Sequence, residues 1–266
     1  MKFIYLSIIF IILTSCTDVK QLPGYRFENF KNTPAWDLAL AIENNDIENV
    51  ILLSKNTSLI NYKDPKFKQT LLNLSIVNGK KEIFKILLDA GASTNIISGT
   101  LNDNTPLLIA IDFQKNCDIF FIMNLIKYGA NPNLEVKYLE NGYVKGKIPL
   151  IQAINCSDDN GNDCLSIIKI LIQNNAKINV CKINSLTNKC EGVINECLLR
   201  DKMEVLKYFI IEKKIEIPDT VYTFGGIDSG NMKAYSLKEI LQADNYQYIN
   251  NQKAEQAKNE ILKYIK

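Results

Sequence analysis

Apolar positions recur at helical spacing in short paired blocks along most of the chain. In QTLLNLSIVNGKKEIFKILLDAGASTN (69–95), Leu71, Leu74 and Ile76 mark one apolar face and Ile83, Phe84, Leu87 and Leu88 a second. The spacing predicts two short helices joined at Gly79 and a Gly-x-x-Glu step. NDNTPLLIAI (102–111) opens another such block on Thr105-Pro106. With the small residue of the first helix as reference, copies fall at Ala41, Ser75, Ala110, Ala153 and Cys197, at intervals of 34, 35, 43 and 44 residues. A recurring period of this length predicts a stacked array in which each unit buries its apolar face on the next.

Each element of the block has a mechanical reason. Proline at the first helical position loses nothing, because that N–H has no partner within the helix, and a preceding threonine caps through its hydroxyl. Thr105-Pro106 is the full form; Ile148-Pro149 keeps the proline and Thr70-Leu71 the cap. The small residue allows two helices to approach closely where a larger one would overpack. Gly91 and Gly129 stand where a helix must end with positive φ, and Asn175 replaces them in the fourth copy. The Thr-(Pro)-Leu turn, the small residue, Gly-x-x-Glu, the Leu-Leu stripe and Gly-Ala together resemble the ankyrin repeat.

The resemblance implies an all-α ankyrin-repeat solenoid of stacked helix pairs with long β-hairpin or loop fingers, covering residues 33–217 in about five repeats. Departures from the pattern are insertions. The third copy gains residues around Gln114 to Asp118 and a long finger, LEVKYLENGYVKGK; the fourth gains CSDDNGNDC between its helices and the finger VCKINSLTNKC. Such insertions gather on one face, often the binding face. Residues 218–266 read as a turn-rich connector, TVYTFGGIDSGN, and two helices that close the stack as a C-terminal helical cap, with Ser236 and Glu239 set for a capping box.

The first residues follow a different logic. MKFIYLSIIFIILTSC has an early Lys2, an apolar run and small residues before Cys16. The run is shorter than the roughly 20 residues a spanning helix needs, so 1–15 reads as a signal peptide. Leu13-Thr14-Ser15-Cys16 resembles the lipobox of bacterial lipoproteins, which implies a lipidated Cys16. Residues 16–32 then form the lipidated N-terminus and a polar tether. Thr17, where retention in the inner membrane calls for an acidic residue, points to the periplasmic face of the outer membrane.

Composition narrows the chemistry. A net charge of +2 without a basic stripe predicts no nucleic-acid partner, and the absence of histidine removes the commonest general base and metal ligand. Once Cys16 is set aside, six cysteines remain for an oxidising compartment. Cys156 with Cys164, and Cys181 with Cys190, bracket two insertions and are the expected local disulfides; Cys197 reads as a buried thiol, while Cys117 is either free or a competitor for Cys156. CSDDNGNDCLSI lacks the first and last carboxylates of a calcium loop, since Cys156 and Ile167 stand there. FGGIDSGN lacks the Gly-Lys-Ser/Thr ending of a phosphate loop. No catalytic residue, metal site or cofactor is assigned.

What remains is surface recognition. The resemblance implies a non-catalytic, membrane-anchored scaffold, expected as a monomer, that binds a protein partner in the cell envelope. Tyr138, Tyr143, Lys145, Lys147, Lys182 and Lys189, on the two long fingers, are the partner-binding candidates. A periplasmic immunity-type inhibitor of a toxin is the alternative, by analogy alone.

Overall fold

The computed structural model describes residues 22–100, 103–140, 143–158, 161–183, 190–224, 233–243 and 251–265. Helices come in antiparallel pairs: α1 (Trp36–Glu43) with α2 (Ile47–Leu53), α4 (Leu71–Val77) with α5 (Lys81–Asp89), and α6 (Pro106–Asp112) with α7 (Phe120–Lys127). They continue with α8 (Pro149–Ile154) and α9 (Leu165–Gln173), then α10 (Val193–Leu199) and α11 (Met203–Lys207), which runs into a π-helical turn at Tyr208–Glu212. A short α3 (Thr57–Ile60) follows the first pair, and α12 (Leu237–Gln242) and α13 (Gln252–Tyr264) follow the fifth. The first helices stack on one another in the order α4, α6, α8, α10, and α2, α5 and α7 form a second layer beside them.

The five small-residue positions all lie in the seam between these layers. Ala41, Ser75, Ala110, Ala153 and Cys197 are buried, and the Ser75 hydroxyl donates to the Leu72 carbonyl at 2.6 Å, so its polarity is satisfied inside the helix. Three of the five first helices, α1, α4 and α10, end by one repeated device. Four residues after the small residue, Asn45, Gly79 and Asp201 adopt positive φ; one residue later, Asp46, Lys80 and Lys202 donate their backbone N–H to the carbonyls of Ala41, Ser75 and Cys197. The second helices close alike, with Gly91, Gly129 and Asn175 at φ of 95°, 87° and 68°. These turns satisfy the carbonyls that a helix end would otherwise leave unpaired. Thr70 and Thr105 accept hydrogen bonds from the backbone N–H of Asn73 and Leu108 as caps.

Between pairs the chain forms antiparallel hairpins: β1 (Val136–Glu140) with β2 (Tyr143–Lys147), β3 (Cys181–Ile183) with β4 (Cys190–Gly192), and β5 (Tyr222–Phe224) with β6 (Lys233–Tyr235). The third replaces the connector expected over TVYTFGGIDSGN, so the last two helices follow a hairpin as the repeats do. Ser236 and Glu239 form a complete capping box at the start of α12, and α13 packs on α11.

Residues 22–32 depart from the tether expectation, since 22–30 belong to the folded body. Phe27 and Phe30 are 4% and 0% exposed. Tyr25 meets Phe113 edge-on with ring centroids 5.3 Å apart, and the 3-10 turn Pro23–Tyr25 packs on α4. Asn78 donates to the Tyr25 carbonyl at 3.4 Å. Three aromatic residues within two short turns make no sustained period, so their packing against the first three pairs has no local signature.

Candidate partner-binding surface

The finger edge is built from the repeat joints upward. Three asparagines tie one joint to the next: Asn61 accepts from the Ser93 N–H at 2.8 Å, Asn95 from Asn131 at 2.7 Å, and Asn133 from Lys177 at 2.8 Å. Asn95 and Asn133 return the favour through their amide nitrogens, donating to the carbonyls of Gly129 and Asn175, each at 2.8 Å. Asn95 and Asn133 therefore spend both acceptor and donor across a repeat boundary, which fixes the spacing of successive fingers. The sequence does carry this signal, an asparagine at the same place in successive copies, but it is weak, because asparagine is common in any turn.

The first interrepeat loop is organised by a buried carboxylate. Asp64 is fully buried and accepts from the backbone N–H groups of Lys66, Phe67 and Gln69 at 2.9, 2.6 and 2.6 Å. Beside it Asn73 donates to Gln69 Oε1 at 3.0 Å and to Ser98 Oγ at 2.5 Å, joining two consecutive loops. Sequence reasoning passes over all four residues, since a lone polar residue has no period to betray it.

The structure brings the two long fingers together: β2 lies against β3. Tyr138 and Lys147 meet on the first, with the Lys147 ammonium 5.1 Å from the Tyr138 ring centroid. Lys147 also donates to Asn104 Oδ1 at 2.9 Å, so part of its work is to fasten the finger to the preceding loop. By backbone register Lys145 stands opposite Tyr138, Tyr143 opposite Glu140, and Lys182 opposite Glu191. The side chains of Tyr143, Lys145 and Lys182 lie outside the described residues, as do Lys189 and Cys16 altogether.

The cysteines correct one expectation. Cys164 is bonded to Cys117, with Cα atoms 5.2 Å apart, and Cys156 is a free thiol. The extra residues around Gln114 to Asp118 carry Cys117 across to the next repeat, a contact over 47 residues that locality in sequence could not reveal. Cys181 is disulfide-bonded; the side chain of Cys190 lies outside the described residues, so the expected second pair does too. Cys197 is buried and free, and burial pushes its thiol well above the usual range.

Behind the Cys156 to Cys164 insertion, Lys202 reaches back from the fifth pair. Its ammonium lies 3.3 Å from Asp163 Oδ1, donates to the Cys156 carbonyl at 3.2 Å and bonds the Ser157 hydroxyl. Burial pushes the Asp163 carboxyl above the usual range, and the Lys202 charge opposes that shift. Lys80 plays the same part earlier in the stack, donating to the Glu43 carbonyl at 3.0 Å and to Asn45 Oδ1 at 2.7 Å. Among the described residues no group of three or more Cys, Asp or Glu side chains is placed to hold a metal ion.

These joints, turns and helix pairs make the fold an ankyrin-repeat fold, and the family comparison agrees. The family model of ankyrin repeats in three copies matches residues 38–136, from α1 to the start of β1. The chain is 30% identical over 175 residues to the ankyrin repeat protein FPV031 of Fowlpox virus (strain NVSL), a match covering 65% of this chain and 47% of that protein. It thus spans about half the length of that relative. The ankyrin repeat domain of human ASB11 is similar with a TM-score of 0.45 and 18% identity, over 65% of this chain and 67% of that domain.

Proposed function

We propose that this chain is a non-catalytic scaffold, held at a bacterial membrane by lipid on Cys16 and presenting its fingers to a protein partner in the cell envelope. The observation that carries the reading is the pair of long hairpins, β1–β2 and β3–β4, lying side by side on joints locked by the asparagine ladder. A rigid row of loops is how a repeat array recognises a protein surface, because little ordering entropy is then lost on binding. The N-terminal reading supports the anchor: a short apolar run followed by Leu13-Thr14-Ser15-Cys16. Six residues lie between Cys16 and the turn that opens at Pro23, and full extension of that many allows at most about 20 Å. The outer membrane, periplasmic side, is the proposed location.

Two measurements test the two halves separately. Intact mass of the exported protein should show a lipid adduct on Cys16 that Cys16→Ala abolishes; a mature chain that keeps residues 1–15 or carries no lipid sinks the anchor. Capture from envelope extract by the lipidated protein should be lost when 135–147 and 180–190 are shortened. Capture unaffected by shortening would place binding elsewhere on the stack.

A further inference from the structure

The disulfide that joins the third and fourth repeats has a competitor built beside it. Ser157 and Asp163 form an antiparallel bridge, and Cys164 N–H donates to the Cys156 carbonyl at 3.3 Å. Cys156 and Cys164 are therefore the next facing pair of that ladder. Facing residues in an antiparallel pair have Cα atoms about 4.5–5.5 Å apart, inside the range a disulfide spans. Cys117 reaches the same sulfur from the other side, at a Cα distance of 5.2 Å. The Gln114 amide marks the meeting point, donating to Cys164 Sγ at 3.7 Å and hydrogen-bonding the Cys156 thiol. To reach Cys164, the loop places both Asn116 and Cys117 at positive φ, 52° and 57°. Two successive side-chain-bearing residues in the left-handed region hold strain that the other pairing would release.

We infer that Cys164 is exchanged between Cys117 and Cys156, converting an inter-repeat staple into a loop-local disulfide and back. The Cys156 thiolate attacks Cys164 Sγ; the Cys156–Cys164 bond forms as the Cys117–Cys164 bond breaks. Cys117 leaves as a thiolate and takes up the proton that Cys156 gave up. One disulfide and one thiol stand on each side, so no oxidant or reductant is consumed. In the staple form the loop at 114–118 bonds the fourth repeat through Cys117 and the second through Asp118, whose carboxylate lies 2.7 Å from the Lys81 ammonium. Exchange frees the first of these ties and loosens the third repeat from the fourth, the joint from which β1–β2 projects. Burial raises the Cys156 thiol to about 11, with Asp112 raising it further and Gln114 and Lys202 opposing, so exchange at neutral pH is slow.

The test uses the full-length protein equilibrated in a mixed oxidised and reduced glutathione buffer, acid-quenched, alkylated with N-ethylmaleimide and mapped by mass spectrometry. Two species are expected: Cys117–Cys164 with alkylated Cys156, and Cys156–Cys164 with alkylated Cys117. Asn116→Gly, which keeps all three cysteines and relieves the left-handed strain, should shift the ratio toward Cys117–Cys164 by roughly five-fold. Cys117→Ser should give Cys156–Cys164. Absence of the Cys156–Cys164 peptide from the equilibrated wild type overturns the exchange, whatever Cys117→Ser shows, and so does a ratio unmoved by Asn116→Gly. Neither result depends on the lipid anchor or on a partner.

Discussion

At the scale of single residues, the stack depends on what is small and on what can turn left-handed. Ala110 is 2% exposed in the seam between α6 and its neighbours, where no room remains for a longer side chain. Ala110→Leu is expected to destabilise the protein by about 1–3 kcal/mol through overpacking, read as a lower midpoint in chemical denaturation. Gly91 poses the opposite case. A Cβ built there meets nothing within 4 Å, yet its φ is 95°. Gly91→Ala should therefore cost about 1–2 kcal/mol from backbone strain alone, and an unchanged midpoint would show that the turn relaxes freely.

At the scale of elements, neighbouring repeats are joined by polar ties as well as by apolar burial. Lys202 and Asp163 have side chains only 9% and 11% exposed, and the lysine also satisfies two groups of the 156–164 insertion. Lys202→Met removes the charge while keeping much of the stem, leaving Asp163 buried without its counter-ion. A loss of about 3 kcal/mol is expected, with faster hydrogen exchange confined to 156–164 before global unfolding. The double variant Lys202→Met with Asp163→Leu should recover part of that loss; a double variant as unstable as the single would assign the effect to the Ser157 and Cys156 contacts instead.

For the whole molecule, the folded body begins earlier than its first repeat. Residues 22–30 cross from the first pair to the third, with Phe30 fully buried and Tyr25 on Phe113. Phe30→Ala is expected to cost about 3–5 kcal/mol, the loss typical of a buried aromatic ring. Because ankyrin-type stacks propagate stability between neighbours, the melting transition should lose cooperativity from the N-terminal end. A midpoint within experimental error of wild type would return these residues to the role of a tether.

Helix pairs, their caps, the small-residue seam and the glycine or asparagine turns were legible in the sequence, because each is specified within one or two turns of chain by sterics and hydrogen bonding. The long fingers were legible as insertions, and the hairpin over 222–235 was not, since three-residue strands leave almost no alternation to read. What only the tertiary structure decided lies between repeats: Cys117 rather than Cys156 on Cys164, the asparagine ladder, Lys202 on Asp163, and the packing of 22–30 across the first three pairs. All of these but the contact of Phe27–Phe30 with α1 join partners more than 30 residues apart, brought together by stacking and by the length of each insertion. Periodicity within one repeat contains no information about which polar group of the next repeat stands opposite, because that register is set by the accumulated geometry of the joints.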